Sequence, residues 1–161
     1  MSIELHKVST REWWKAIFVG VATGVILAVL NVIALKSHVS PLPKPLGLAF
    51  AETVFGRELP LPIGLFFHLA WVTFFSVVYV LLWRTTLTLM NALILASALW
   101  LATVVIFFPI VGWGFLGLAV SPALLLPVTV SHVLFALILW GLSRLVFGQT
   151  ANNPQPQPRA A

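Results

Sequence analysis

The chain contains no cysteine among its 161 residues, and this absence excludes several kinds of site at once. Without a thiol there is no disulfide, no thiolate nucleophile, no cysteine-ligated zinc and no iron–sulfur cluster. The missing cysteine gives no information about the cellular compartment in which the protein works.

Charge is scarce as well: charged residues make up only 8% of the chain, with nine Lys and Arg against four Asp and Glu. The surface of a soluble domain is normally about a quarter charged or more, so these residues cannot coat a water-soluble globule. Hydrophobic residues instead make up 60% of the chain, and the mean hydropathy is +1.06. The composition therefore predicts an integral membrane protein, with lipid as the solvent for most of the chain.

The few acidic residues are all glutamates, and none of them lies in an apolar run. A serine–histidine hydrolase needs a carboxylate to orient its imidazole, and the chain has no G-x-S-x-G, P-loop, dinucleotide-binding or H-E-x-x-H motif. Apolar runs without charge also argue against a transporter of ionic substrates. The net charge of +5 comes from scattered basic residues with no aromatic-interleaved stripe, so no nucleic-acid partner is expected. These absences favour a non-enzymatic role.

Four apolar runs approach or exceed the length of about 20 residues that a helix needs to cross a bilayer. The predicted helices span residues 16–35, 63–83, 87–108 and 123–147. The sequence thus predicts an all-α, polytopic membrane protein, with a four-helix transmembrane bundle over 16–147. Residues 1–15 form a basic segment before the bundle, residues 36–62 form an outer loop, and the polar tail 148–161 is expected to be disordered.

The distribution of basic residues predicts the orientation of this bundle. With the N-terminus inside the cell, six Lys and Arg residues lie on the cytoplasmic side and three on the outer side. The six are Lys7, Arg11, Lys15, Arg84, Arg144 and Arg159, and the three are Lys36, Lys44 and Arg57. We therefore expect both termini in the cytoplasm and a multi-pass location in the inner (plasma) membrane.

Local patterns add detail to the connections. Apolar residues on one helical face predict a short interfacial helix over 46–55. The short connection Arg84–Thr86 predicts that the second and third spanning helices are antiparallel neighbours. Pro109 is expected to end or kink the third helix.

Small residues indicate where helices approach closely. Gly20 and Gly24 form a G-x-x-x-G motif, which Ala28 continues four residues later. Helix packing in lipid relies on such residues, and a four-helix chain must first pack its own helices. We therefore interpret the motif as an intramolecular contact, although a homo-oligomer or partner subunits stay open as alternatives.

Polar side chains inside a bilayer are costly and mark functional candidates. Four lie in the outer halves of the predicted helices, one in each: Asn31, His68, Thr103 and His132. The faces of the two histidines continue through Ser76, Tyr79 and Thr129. A bundle that turns these faces inward would form one outward-facing cavity for a small ligand or a proton. The alternative is that each histidine only hydrogen-bonds a neighbouring helix and stiffens the bundle.

The same two imidazoles leave one cofactor open. His68 and His132 together could hold a b-type haem between apolar aromatic walls. Zinc or copper is less favoured, because two imidazoles leave such a site short of ligands and no carboxylate lies in a span.

The order of short motifs over residues 16–147 resembles the YagU-like family of small bacterial inner-membrane proteins. The motifs are the small-residue first helix, PLPKP after it, FFHLAWVTFFSVVY in the second helix, FFPIVGWG at the end of the third and SHVLFALILWGLSR in the last. The resemblance implies a histidine early in the second helix and another in the last helix before a basic end, matching His68, His132 and Arg144. This chain departs from the family in its shorter outer loop and its lack of cysteine. The family has no settled activity, so the resemblance implies fold and location.

Three functional hypotheses follow from the sequence. The first is a non-enzymatic membrane protein whose polar cavity binds a small ligand or a proton. The second is an accessory subunit of a larger respiratory or photosynthetic complex, with its aromatic exterior packed on partner subunits or pigments. The third is a b-type haem protein.

Overall fold

The computed structural model describes residues 9–148, and within this range it contains helices and no β-strand. The helices are α1 (Thr10–Lys36), α2 (Leu46–Phe55), α3 (Leu61–Trp83), α4 (Leu89–Ile110) and α5 (Leu125–Phe147). All except α2 are long and apolar enough to cross a membrane. The predicted all-α fold with four spanning helices is confirmed. The predictions for the first eight residues and for the tail after Gly148 lie outside the described range.

The first helix begins earlier than its hydropathy predicts, at Thr10 instead of residue 16. Ser9 and Glu12 form a capping box: the Glu12 backbone N–H donates to the Ser9 hydroxyl over 3.3 Å, and the Ser9 N–H donates to the Glu12 carboxylate over 2.8 Å. These bonds satisfy amides that a helix start leaves unpaired. Part of the predicted N-terminal basic segment is therefore the first turns of α1.

The fourth helix is irregular immediately before its proline. Regular helix runs over Leu89–Ala102, a π-helical segment covers Thr103–Phe107, and a last turn covers Phe108–Ile110. Pro109 lacks an N–H, and its ring would clash with the carbonyl four residues earlier in a regular helix. The wider π turn relieves this conflict. Pro109 thus distorts the helix, which continues for one more residue.

The helices pack in an order that differs from their order in the chain. α1 lies between α3 and α5 and packs on both, α4 packs on α5, and α2 packs on α3. In contrast, α3 and α4 touch little, although only five residues separate them. The short connection therefore makes these helices consecutive without making them closely packed neighbours.

The closest approach of α1 to α3 occurs at the glycine motif. A Cβ atom at Gly20 would lie 2.9 Å from the Thr73 Cα, and one at Gly24 would lie 2.7 Å from the Leu69 Cδ1. No side chain fits at Gly20 without moving backbone, so this motif lies at a contact within the chain. Ala28, the third small residue, instead lines the cavity described below.

We name the two ends of the bundle by what lies there. The α2 end contains α2, the end of α1, the start of α3, the end of α4 and the start of α5. The termini end contains the start of α1, the α3–α4 connection and the end of α5. The sides carry exposed large apolar residues such as Phe18, Phe66 and Leu126, at 63%, 68% and 72% exposure, as expected for a surface that faces lipid.

Candidate functional site

A cavity of about 170 Å³ lies inside the α2 end of the bundle. Side chains from all five helices and from the connection between α1 and α2 line it. Its polar lining residues are Asn31, Ser40, His68, Trp71, Thr103, Ser131 and His132, and most of the remaining wall is aliphatic or aromatic. The cavity therefore combines an apolar wall with a small number of hydrogen-bonding groups, which is typical of a small-molecule site.

His68 reaches the cavity from the second turn of α3. Its Nε2 atom is buried and has no hydrogen-bond partner among the described residues. The Gly24 carbonyl of α1 lies beside the ring. An imidazole nitrogen that is buried without a partner is costly, since it loses its hydrogen bonds to water and gains none in return.

His132 reaches the same cavity from α5, and its ring is oriented by its own helix. Its Nδ1 lies 2.8 Å from the Val128 carbonyl oxygen. Because a carbonyl can only accept, Nδ1 must carry the proton in this contact, and the Nε2 of a neutral ring is then an acceptor. The two histidines thus meet in one cavity, one fixed by a backbone bond and the other with an unpartnered nitrogen.

Asn31 connects two helices across the cavity. The Ser131 hydroxyl of α5 donates to the Asn31 side-chain oxygen of α1 over 2.8 Å. Both residues line the cavity. The sequence did not predict Ser131 as a site residue. Ser131 is the immediate chain neighbour of His132 and points about 100° away from it on a helical wheel, so it does not share the face of His132.

Thr103 enters the cavity from α4 at the first residue of the π-helical segment. Its hydroxyl donates to the Leu99 carbonyl over 2.9 Å, which leaves its oxygen able to accept a further bond. A π-helical turn inside a long helix is frequent at functional sites. Here it begins at a cavity residue.

Three of the predicted site residues do not line this cavity. The Ser76 hydroxyl donates to the Val72 carbonyl at 2.8 Å, one turn earlier in α3. The Tyr79 hydroxyl donates to the Thr88 carbonyl at 3.0 Å, near the α3–α4 connection. Thr129 donates to its own helix and accepts from the Trp100 indole at 3.0 Å. All three side chains are therefore hydrogen-bonded within the protein. They fit the alternative role of polar residues in a bilayer, which is to bond neighbouring groups and stiffen the bundle.

The connection between α1 and α2 and the start of α2 also line the cavity, which the sequence did not predict. The lining residues from these two parts are Ser40, Leu42, Pro45, Leu46 and Gly47. The connection can lie this close because α2 and α3 meet at glycines: a Cβ at Gly47 would lie 2.6 Å from the Gly64 carbonyl oxygen. Gly47 and Ala51 have the four-residue spacing of a small-residue motif, a signal that could have identified α2 as a packing helix, whereas Gly64 has no small residue four positions away.

An ion pair holds the same connection in place. The Lys44 ammonium lies 2.6 Å from the Glu52 carboxylate of α2, and the Leu59 backbone N–H donates to the other carboxylate oxygen over 3.3 Å. The hydrogen bond from Lys44 lowers the pKa of Glu52 below its ordinary range. Glu52 therefore ties together the connections on either side of α2, and it does not line the cavity.

The cavity does not fit the cofactor that the sequence left open. A volume of about 170 Å³ is close to that of an engineered cavity of about 150 Å³ that holds one benzene ring. A haem macrocycle of four pyrrole rings is several times too large. Over residues 9–148, no group of three or more His, Cys, Asp or Glu side chains is arranged to hold a metal ion.

Comparison of the chain with models of protein families, with curated proteins and with solved structures finds no match. The resemblance to the YagU-like family stays a prediction that rests on short motifs. The function has to be inferred from the cavity itself.

Proposed function

We propose that this chain is an integral protein of the inner (plasma) membrane that binds a small ligand in the cavity at the α2 end, without catalysing a reaction. The observation that carries the proposal is the position of both imidazoles on one cavity, with the His68 Nε2 buried and unpartnered. A bound molecule that hydrogen-bonds this nitrogen would remove the cost of leaving it unsatisfied.

Binding is favoured over chemistry by the composition of the wall. No carboxylate, ammonium or guanidinium group lines the cavity. The groups that do line it are hydrogen-bonding amide, hydroxyl, indole and imidazole side chains, which can position a ligand, and no carboxylate among them orients an imidazole for catalysis.

The test is to look for a molecule that stays with the purified protein. The chain is extracted in mild detergent and studied by native mass spectrometry, with Ala28→Phe as the variant that fills the cavity from α1 and Ala98→Phe as the matched control on the exposed face of α4. We expect a bound mass in the wild type and in Ala98→Phe, and its loss in Ala28→Phe. Equal retention in all three, with unchanged elution and unfolding temperature, would place the ligand elsewhere.

The proposed orientation is supported by the charges at the two ends. Among the described residues, the termini end carries four Lys and Arg side chains and the α2 end carries three. The end with more Lys and Arg belongs in the cytoplasm. The cavity then lies in the outer half of the membrane.

Because the chain has no native cysteine, single cysteines report the orientation cleanly. Ser40→Cys and Ser121→Cys should react with an impermeant maleimide in intact cells, and Thr86→Cys should react only after the cells are opened. Labelling of Thr86→Cys alone in intact cells would invert the orientation.

A further inference from the structure

The size of the cavity limits the part of the ligand that it can enclose. Its volume of about 170 Å³ exceeds by little the volume of about 150 Å³ that accommodates one benzene ring. The enclosed part is therefore about one six-membered ring with small substituents. Any longer part of the ligand must lie outside the cavity.

The wall selects a neutral ring. Aliphatic and aromatic side chains form most of it, among them Leu27, Phe75 and Phe135. Since no charged side chain lines the cavity, an ionic ligand would lose its hydration without gaining a counter-charge.

The polar groups provide both donors and acceptors for such a ring. The His132 Nε2 is an acceptor, because Nδ1 donates to the Val128 carbonyl. Asn31 accepts from Ser131 through its oxygen, which leaves the amide NH₂ as a donor. The unpartnered His68 Nε2 can donate to a carbonyl or accept from a hydroxyl, depending on its tautomer. A ring with oxygen on more than one side can use several of these groups together.

Trp71 lies between the cavity and the lipid-facing surface of the bundle. This residue lines the cavity and is 44% exposed on the outside of α3. Its ring packs edge-on against Phe107 of α4, with ring centroids 5.0 Å apart. The aromatic pair bridges two helices that otherwise touch little, so this side is closed by side chains and not by interlocked helices.

From these features we infer that the cavity binds the ring of a membrane quinone or its quinol, with the apolar tail leaving past Trp71 into the bilayer. A quinone ring is neutral and six-membered, and it carries oxygens on opposite sides. As a carbonyl it accepts from His68 or Asn31, and as a quinol its hydroxyl donates to His132. The inference rests on the proposed ligand-binding function and names the class of ligand.

The test uses the full chain in nanodiscs of defined phospholipid and two probes, of which only one carries ring oxygens. Decylplastoquinone carries the ring, the oxygens and a tail, whereas decylbenzene carries a ring and the same tail without oxygen. Each is titrated while the unfolding temperature is followed, since a ligand that binds the folded state raises it. We expect decylplastoquinone to bind at least about tenfold more tightly, because hydrogen bonds to buried, otherwise unsatisfied groups favour it.

Variants identify the group that recognises the oxygen. His68→Ala should weaken decylplastoquinone binding about tenfold and leave decylbenzene binding unchanged, and His68→Gln, which keeps a donor, should lose less. His38→Ala is the matched control, since His38 is exposed in the outer connection and does not line the cavity. The carbonyl stretch of ¹³C-labelled quinone should shift to lower wavenumber in the wild type and lose part of this shift in His68→Ala.

The outcomes separate this inference from the function on which it rests. Equal affinity for both probes, abolished by Ala28→Phe, would overturn the quinone inference and keep the ligand-binding cavity. If neither probe binds, but Ala28→Phe removes a different bound mass, the quinone inference is likewise overturned and the ligand-binding cavity is kept. Failure of both probes with no bound mass in the wild type would overturn the inference and the proposed function together.

Discussion

The two halves of the bundle differ in how their helices meet. Towards the termini end, the centre is filled by small or fully buried side chains such as Ala16, Tyr79, Ala92 and Leu139, each at 0% exposure. Towards the α2 end, a second apolar cluster around Phe108 and Leu124 supports the connections, and the centre of the bundle contains the cavity.

This difference separates two tasks within one short chain. Close packing of helices through small residues supplies stability in lipid, where apolar side chains gain little by leaving their solvent. A cavity forfeits such contacts and leaves polar groups to be satisfied by something else. Stability is therefore expected to come mainly from the termini half of the bundle, and ligand binding from the α2 half.

The largest effect is expected where the backbones of α1 and α3 approach each other. Gly20→Leu must push α1 away from α3, because a Cβ there would lie 2.9 Å from the Thr73 Cα and 3.0 Å from the Thr73 carbonyl oxygen. We expect a loss of about 3 kcal/mol or more in the free energy of unfolding, measured by denaturant titration in detergent. Gly141→Leu is the matched control, because a Cβ at Gly141 meets no atom within 4 Å. Leu is a better helix former than Gly, so Gly141→Leu should not lose stability, and similar losses in both variants would show that the loss does not come from the α1–α3 contact.

A pair of leucine truncations compares the halves directly. Leu139 of α5 is fully buried in the termini half, whereas Leu99 of α4 lines the cavity and is partly buried. Leu139→Ala should cost about 2 kcal/mol, since it opens a void among packed neighbours, and Leu99→Ala should cost less than half of that, since it enlarges an existing cavity. Equal costs, measured by the same unfolding titration, would contradict a difference in packing between the halves.

The sequence was sufficient for the fold because hydropathy is a strong signal over 20 or more residues. It was weaker at helix boundaries and in packing. The start of α1 depends on a bond between Ser9 and Glu12, polar residues that a hydropathy pattern does not weigh. The small contact between α3 and α4 depends on how α1 and α5 pack between and beside them, which the length of a connection does not encode.

The lining of the cavity was also predicted only in part, because it too depends on how the helices pack. Depth along each helix identified Asn31, His68, Thr103 and His132, which the structure brings to one cavity. The further hydroxyls on these faces do not reach the cavity: Ser76 and Tyr79 lie two or more turns beyond His68, and Thr129 bonds to the Trp100 indole of α4. Ser131, in contrast, lines the cavity although the sequence did not predict it. Its partner Asn31 is a hundred residues away in the chain, so no local pattern indicates their hydrogen bond.

The two histidines provide a smaller and more specific comparison. If His68 and His132 act on one cavity, the effects of His68→Ala and His132→Ala on stability should not add, with a coupling of about 1 kcal/mol in a double-mutant cycle. Each should instead add to His38→Ala, whose side chain lies on the exposed connection. Coupling indistinguishable from zero between His68 and His132 would show that the imidazoles act independently despite lining the same space.

The smallest effect concerns the connection over the cavity. The Lys44 ammonium, 2.6 Å from the Glu52 carboxylate, lowers the pKa of Glu52 below its ordinary value of 4.5. A carboxyl whose pKa is depressed on folding contributes stability that is fully present above its unfolded value and is lost as the pH falls through its folded value. The connection should therefore loosen only below about pH 4.5, since Glu52 stays ionised above it.

This change can be followed at the carboxyl itself. Carbon-13 spectra of glutamate-labelled protein contain only four side-chain carboxyl signals, and Glu52→Gln identifies the one that belongs to Glu52. Its titration midpoint should lie below 4.5 in the wild type and move up towards 4.5 in Lys44→Met, which keeps the aliphatic stem and removes the charge. The packing of the termini half should not change in either variant, because neither Lys44 nor Glu52 contacts it. An unchanged midpoint in Lys44→Met would mean that the ion pair does not hold the connection in solution, and that the glycine contact of α2 with α3 keeps it over the cavity alone.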